Sequence, residues 1–271
     1  MKVAAIQMVS GIEREANLAR ARLLLERAAE AGAELAVLPE YFCTMGRQDT
    51  DKLALRETPG DGPVQTFLAE TARALKLWIV GGTLPMAAGD DAHVFNASIA
   101  YSPAGEPVAR YDKLHLFVFD NGRERYDEGR VIARGDKPVS FELPSRDGHR
   151  WRIGMSVCYD LRFPELYREL GHNNTELLLV PSAFTHTTGA AHWELLLRAR
   201  AVENLAWVVA PAQGGRHENG RRTWGQSLVV DPWGAPVAQQ AEGEGVVLAD
   251  LDAAQTARFR AQLPALTHRI L

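Results

Sequence analysis

Three residues in this sequence are of types that do chemistry and stand at or next to strand ends: Glu40 in AVLPEYF, Lys113 in RYDKLHLF and Cys158 in GMSVCYDLRFPELYR. Ligand crevices in α/β sheets form outside strand ends. A thiol attacks as the thiolate, and with an ordinary pKa near ~8.5 it needs an adjacent base or cation at neutral pH. Taken singly, each residue also has a bland reading. A cysteine on an apolar strand packs in the core, a carboxylate at a strand exit is solvated, and lysines mostly lie on the surface.

Other chemistries compete for the same residues. Eight histidines, among them His115, His186 and His192, leave a Cys-His arrangement open on spacing alone. No G-x-S-x-G elbow, H-E-x-x-H helix or G-x-G-x-x-G turn occurs, which weakens serine-hydrolase, zinc and dinucleotide readings. GGRHENGRR, from Gly214 to Arg222, is read as a mobile exposed loop in preference to an anion cradle. Arg162 in DLRFPE either grips a substrate carboxylate through its planar fork or closes a salt bridge with Asp160 or Glu165. His186, Thr187 and Thr188 precede a helix, where they line a pocket or cap the helix.

The elements that must position these side chains alternate in an α/β rhythm. MKVAAIQM reads as a first strand. Leu18, Ala21, Leu25 and Ala28 recur at helical spacing between Glu13 and Ala31, with Gly32 as the stop. AELAVLPE is the next strand, followed by a helix near Val64 to Leu75, strands LWIVGGT and NASIAYS, and a hairpin turn at SPAGEP. That turn implies antiparallel pairing, so a purely parallel sheet is not expected. His115 to Asp136 reads as a long surface loop. In the second half WRIGMSVCYD reads as a strand ending on Cys158, and FPELYRELG as a helix with Pro164 in its first turn. ELLLVPSAF, LAWVVAPAQ, TWGQSLVVDPWG and GEGVVLADLD are further strands. AHWELLLRARAVEN is a helix with Leu196, Ala199 and Val202 on one side. The shared rhythm of the halves suggests two sheets packed face to face with helices outside.

With 271 residues, 46% of them apolar, the chain can bury one large core, and a single domain over 1-271 is the default. A net charge of -4 gives no basic field, so nucleic acid is not the expected partner. Cys43 and Cys158 are the only cysteines, which excludes a disulfide framework and fits a reducing, cytoplasmic setting. The apolar run at the amino terminus acquires charges too soon for a signal or membrane segment.

The blocks AAIQM, LPEYF, YDKLHLF, CYDLRFPELYR, PSAFTHTTGAAHWELLLRARAVEN and TWGQSLVVDPWG, in this order along nearly the whole chain, resemble the nitrilase or carbon-nitrogen hydrolase superfamily. Its wording is most similar to the Nit subgroup and, through WVVAPAQGGRHE and LPALTHR, to the deaminated glutathione amidases within it. The resemblance implies a four-layer α-β-β-α sandwich with two mixed sheets, and a Glu-Lys-Cys triad. It makes Cys158 the nucleophile, Glu40 the general base and Lys113 the partner of the reacting carbonyl, with the backbone N–H of Tyr159 as a second donor. A further family glutamate matches Glu128 in RYDEGR, with Glu124 close by. Arg162 and Thr187 are candidate substrate contacts, and Cys43 is a bystander because its context does not match the family's cysteine. No metal or organic cofactor is implied, no membrane is involved, and relatives pair through outer helices, so a homodimer is expected. The implied reaction is hydrolysis of a linear amide in a small carboxylate-bearing molecule, with deaminated glutathione yielding 2-oxoglutarate and cysteinylglycine. The alternatives are an ω-amidase acting on 2-oxoglutaramate and a catalytically silent scaffold of the same fold.

Overall fold

The computed structural model describes residues 1–270. Its first sheet begins with β1 (Lys2–Gln7), β2 (Leu35–Val37), β3 (Trp78–Val80), β4 (Leu84–Ala87), β5 (Val94–Tyr101) and β6 (Pro107–Asp112). A separate hairpin of β7 (Val118–Asp120) and β8 (Arg125–Asp127) follows, and β9 (Ile132–Ala133) returns to pair with β5. The second sheet is β10 (Val139–Pro144), β11 (Arg150–Met155), β12 (Leu177–Leu179), β13 (Trp207–Ala210), β14 (Ser227–Val230) and β15 (Pro236–Gln240). Strand β16 (Gly245–Asp250) goes back to the first sheet and pairs antiparallel with β1. The helices are α1 (Arg14–Glu30), α2 (Asp51–Ala54), α3 (Pro63–Leu75), α4 (Pro164–His172), α5 (His186–Asn204) and α6 (Ala253–Gln262).

Both sheets follow one pairing scheme. In the first, β16-β1 is antiparallel, β1-β2 and β2-β3 are parallel, and β3-β5 and β5-β4 are antiparallel. The second repeats it as β10-β11 antiparallel, β11-β12 and β12-β13 parallel, then β13-β14 and β14-β15 antiparallel. The hairpin expected at SPAGEP joins β5 to β6, with Gly105 at φ +77° in its turn.

Alternation along the strands explains why they read as continuous apolar runs. Val3, Ala5 and Val37 pack with Leu143, Ile153 and Val209 of the second sheet. Ala4, Ile6 and Ala36, on the opposite face, pack with Leu24 and Leu25 of α1 and Leu68 and Ala72 of α3. A strand buried on both faces has no polar side to show. On the far side Leu166 and Leu170 of α4 and Trp193 and Leu197 of α5 cover the second sheet. The layers therefore run α-β-β-α, and each fully buried Leu or Ile adds roughly 1.5–3 kcal/mol.

Three readings of local structure change. The segment from His115 to Asp136 is not a structureless loop: it carries the β7-β8 hairpin, a 3₁₀ turn at Glu128–Arg130 and β9, and Val131 and Ile132 are buried. Strand β11 stops at Met155, and Cys158 opens a 3₁₀ helix, Cys158–Arg162, instead of closing the strand. The inner stripe of α5 is Trp193, Leu197, Arg200, Ala201 and Asn204, whereas Val202 is exposed. The apolar pattern misleads there because the helix buries two polar groups. Arg200 donates to the Leu161 carbonyl from Nε at 3.0 Å and Nη2 at 2.7 Å, and Asn204 donates to the Arg200 carbonyl at 2.9 Å.

One close approach fixes the loop that carries Glu40. Gly82 sits at φ +46°, and a Cβ there would stand 2.1 Å from the Pro39 carbonyl oxygen and 2.8 Å from that of Leu38. Gly82→Ala is expected to cost more than about 1 kcal/mol in urea denaturation, since both the backbone conformation and the space are lost. Pro39 must move to make room, and Glu40 follows it. A Gly82→Ala variant with wild-type stability would refute this.

Candidate active site

Glu40 follows the C-terminal end of β2, in a turn where Tyr41 takes φ +57°. The Tyr41 N–H donates to Thr83 Oγ1 at 2.9 Å, and Gln213 Nε2 donates to the Glu40 carbonyl at 3.1 Å, so the turn is held from both sheets. The carboxylate is buried. Oε1 accepts from Asn96 Nδ2 and Lys113 Nζ, both at 2.9 Å, and Oε2 accepts from the Ala183 N–H at 2.9 Å.

Lys113 directly follows β6 and is fully buried. Its three N–H groups meet three acceptors: Glu40 Oε1 at 2.9 Å, Glu128 Oε1 at 2.9 Å and Glu128 Oε2 at 2.8 Å. Burial alone would depress the ammonium pKa, but the Glu128 and Glu40 carboxylates outweigh it and raise the pKa above its ordinary value. Glu128 stands in the 3₁₀ turn after the β7-β8 hairpin. Burial opposes its charge, yet Lys113 together with the Phe117 N–H and the Tyr41 hydroxyl, at 2.8 Å and 2.9 Å, holds its carboxyl below the usual range. Of the two neighbouring glutamates it is Glu128 that reaches Lys113, while Glu124 accepts from Thr187.

Cys158 is the first residue of its 3₁₀ helix and adopts φ +49°. Asp160 anchors this turn. Its fully buried carboxylate accepts from the Val157 N–H at 2.8 Å and the Tyr111 hydroxyl at 2.7 Å, and from the His115 N–H at 3.0 Å, with His115 Nδ1 at 2.7 Å. Tyr111 and His115 flank Lys113 in sequence, so one carboxylate ties the cysteine turn to the lysine segment. Burial and the Glu40 carboxylate beside it push the Cys158 thiol well up, and Lys113 only partly offsets them. A thiol shifted in this direction needs a base beside it to become reactive, and Glu40 is placed there. Tyr159, one residue on, has a backbone N–H with no hydrogen-bond partner among the described residues.

Glu40, Glu128, Cys158, Tyr159 and Arg162 line one small cavity together with Phe184, Thr185 and Thr188. Arg162 makes neither of the expected salt bridges. Its guanidinium lies 5.7 Å from the Tyr159 ring and 5.6 Å from the Phe184 ring, at the cavity wall. Thr187 does not line this cavity: it is exposed, and its hydroxyl donates to Glu124 Oε2 at 2.8 Å. The neighbouring Thr188 faces the cavity instead, and Thr185 is the N-cap of α5. One residue on a helix rotates the side chain by about 100°, and a run of Thr gives no sign of which one turns inward.

Sequence reasoning passed over Asn96, Asp160 and Arg221. Arg221 belongs to the GGRHENGRR segment read as an exposed loop, but the segment is held down: His217 is buried between the Ser10 carbonyl at 2.9 Å and Thr223 Oγ1 at 2.7 Å. Burial lowers the His217 pKa to about 4, so it is neutral. Arg221 lines the Cys158 cavity and donates through Nη2 to the Ala183 carbonyl at 3.1 Å. No histidine lines that cavity among the described residues, and His115 is turned to Asp160 and stacked on Phe163 with ring centroids 3.7 Å apart. Cys43 is buried with Sγ 3.8 Å from the Thr83 carbonyl, and burial pushes its thiol up to about 12.

The carbon-nitrogen hydrolase family model matches residues 2–261. A deaminated glutathione amidase of Synechocystis is 37% identical over 98% of this chain and 97% of its own. Among solved structures, the NitFhit protein of C. elegans superposes with a TM-score of 0.90 at 37% identity, over 99% of this chain and 65% of that longer one. Nit3 of Saccharomyces cerevisiae superposes with a TM-score of 0.85 at 31% identity, over 97% of this chain and 94% of its own.

Proposed function

The chain belongs to the carbon-nitrogen hydrolase family, and from that premise we propose that it hydrolyses deaminated glutathione through a thioester on Cys158. The observation that carries the reading is the shared network of Glu40, Lys113 and Glu128 at the cavity lined by Cys158. Glu40 takes the thiol proton as Sγ attacks the amide carbon. The oxyanion accepts from Lys113, which exchanges one of its two bonds to Glu128, and from the free N–H of Tyr159. Collapse breaks the C–N bond, and Glu40 returns the proton to the departing amine. Glu40 then deprotonates water, which cleaves the thioester, releasing 2-oxoglutarate and restoring the thiol. Glu128 keeps Lys113 charged and aimed, and Arg162 at the cavity wall suits the carboxylate of the acyl half.

The substrate rests on the names of relatives such as the Synechocystis amidase. A substrate panel tests it, with mass spectrometry of Cys158 during turnover. Deaminated glutathione is expected to react with higher kcat/KM than 2-oxoglutaramate and to leave a 2-oxoglutaryl adduct on Cys158. Faster ammonia release from 2-oxoglutaramate would overturn the substrate. The absence of any adduct under rapid quench would overturn the thioester. A homodimer is part of the same proposal: Leu195 and Val202 on α5 and the nearby Trp233 leave apolar area exposed on the outer layer.

A further inference from the structure

Beside the cavity of Cys158, which is small at about 10 Å³, lies a basin of about 440 Å³. Arg221 lines both. The small cavity cannot take a whole peptide-sized substrate, so part of such a substrate lies outside it. The basin's walls come from Tyr41, the Met45–Lys52 stretch, the β8 residues Arg125 and Tyr126, and Arg130. Five cations border it, Arg47, Lys52, Arg125, Arg130 and Arg221, against one acid, Asp49, which pairs with Lys52 at 3.2 Å. Arg125 has only a loose partner in Asp120 at 3.9 Å. The side chains of Arg47 and Arg130 make no hydrogen bond or ion pair among the described residues. Arg221 Nε is buried without a partner, and its guanidinium lies 5.2 Å from the Tyr126 ring. A buried donor left unpaired costs about 1–3 kcal/mol, which a ligand oxygen would recover.

We infer that this basin is the subsite for the amine half of the substrate, and that it takes an amine carrying a free carboxylate, such as the end of a short peptide. The inference rests on the amidase reading above. Glu40 must reach the departing nitrogen, so the amine half lies on the Glu40 side, and the chain that continues from Glu40 through Tyr41 to Lys52 builds the basin wall. The acyl half then faces Arg162 of the 3₁₀ helix and Thr185 and Thr188 at the start of α5. Arg221 bridges the two and meets the anion first, with Arg47 and Arg130 beyond it.

The test compares two amides with the same acyl group. Deaminated glutathione carries a carboxylate on its leaving group, and 2-oxoglutaramate releases only ammonia. In the variant Arg47→Gln/Arg130→Gln, KM for deaminated glutathione is expected to rise about ten- to a hundredfold more than KM for 2-oxoglutaramate, the loss of one or two charge-assisted hydrogen bonds. Titration of cysteinylglycine into the wild type and the variant, followed by calorimetry, should show the same weakening without turnover. Equal rises for both amides would assign the basin to the acyl half and overturn the inference, as would no change in either. A wild type that cleaves neither amide and forms no Cys158 adduct is a different outcome, the failure of the amidase reading itself.

Discussion

Cys158→Ala is expected to lower kcat/KM by a factor on the order of 10⁴–10⁶ while leaving the fold intact. Removing a nucleophile that acts with its base as a unit abolishes nearly all the chemistry at once. Alanine keeps the β-carbon, so the φ of +49° at this position is no worse than with cysteine, and the anchoring bonds from Asp160 to Val157, Tyr111 and His115 involve no Cys158 atom. Circular dichroism and the urea midpoint should therefore stay close to those of the wild type. The same variant should lose labelling by iodoacetamide, because Cys158 lines a cavity with the Glu40 carboxylate beside it to take its proton, whereas Cys43 lines no part of that cavity and burial pushes its thiol up to about 12. Residual turnover above a hundredth of wild type, or an acyl adduct found on Cys43, would remove Cys158 from its assigned role.

How much of this arrangement is legible in the chain depends on the kind of contact that makes it. Strand β1, helix α1 and the hairpin at SPAGEP follow from local chemistry: apolar runs, helical spacing with a terminal glycine, and turn residues. Glu40, Lys113 and Cys158 are singled out by type and by position near strand ends, but their meeting is a long-range event, since Lys113 lies 73 residues from Glu40. No periodicity encodes that; the resemblance of whole sequence blocks does. The misreadings share a cause. Polar residues such as Arg200 and Arg221 look like solvated surface when read locally, and become interior once a distant partner satisfies them. The segment His115–Asp136 is charged enough to suggest a loop in solvent for the same reason, although it folds its Glu128 back onto Lys113. Asp160 stands two residues beyond the cysteine, and its four partners come from the turn itself and from the lysine segment, some 45 residues upstream. Only its buried hydrogen bonds reveal it.

Lys113→Met should combine a loss of activity with a loss of stability, and the two can be separated. The wild-type ammonium satisfies one buried and one half-buried carboxylate, with side-chain exposures of 1% for Glu40 and 15% for Glu128. Removing it leaves both without their counter-charge, and breaking a buried pair by deleting one partner typically costs roughly 3–5 kcal/mol. The pH dependence has a defined sign. The folded-state pKa of Glu128 is depressed, so its contribution is present above the ordinary value of 4.5 and lost as pH falls through the folded one. That of Lys113 is raised, so its contribution is present below the ordinary 10.5 and lost only as pH rises through the folded value. In Lys113→Met the stranded Glu128 carboxylate takes up a proton more readily, so the deficit relative to wild type should be largest at neutral pH and shrink in acid. Adding Glu128→Gln to Lys113→Met should restore part of the stability at neutral pH by removing one of the two stranded charges. Turnover should not return if Lys113 holds the oxyanion as proposed, since the loss of such a donor alone is worth about 10²–10³ in rate. Urea denaturation of the three proteins at neutral and acid pH, set beside their kcat values, measures both halves. A double variant that recovered turnover along with stability would show that Lys113 serves only to hold the fold together, and that the charge facing the reacting carbonyl comes from elsewhere.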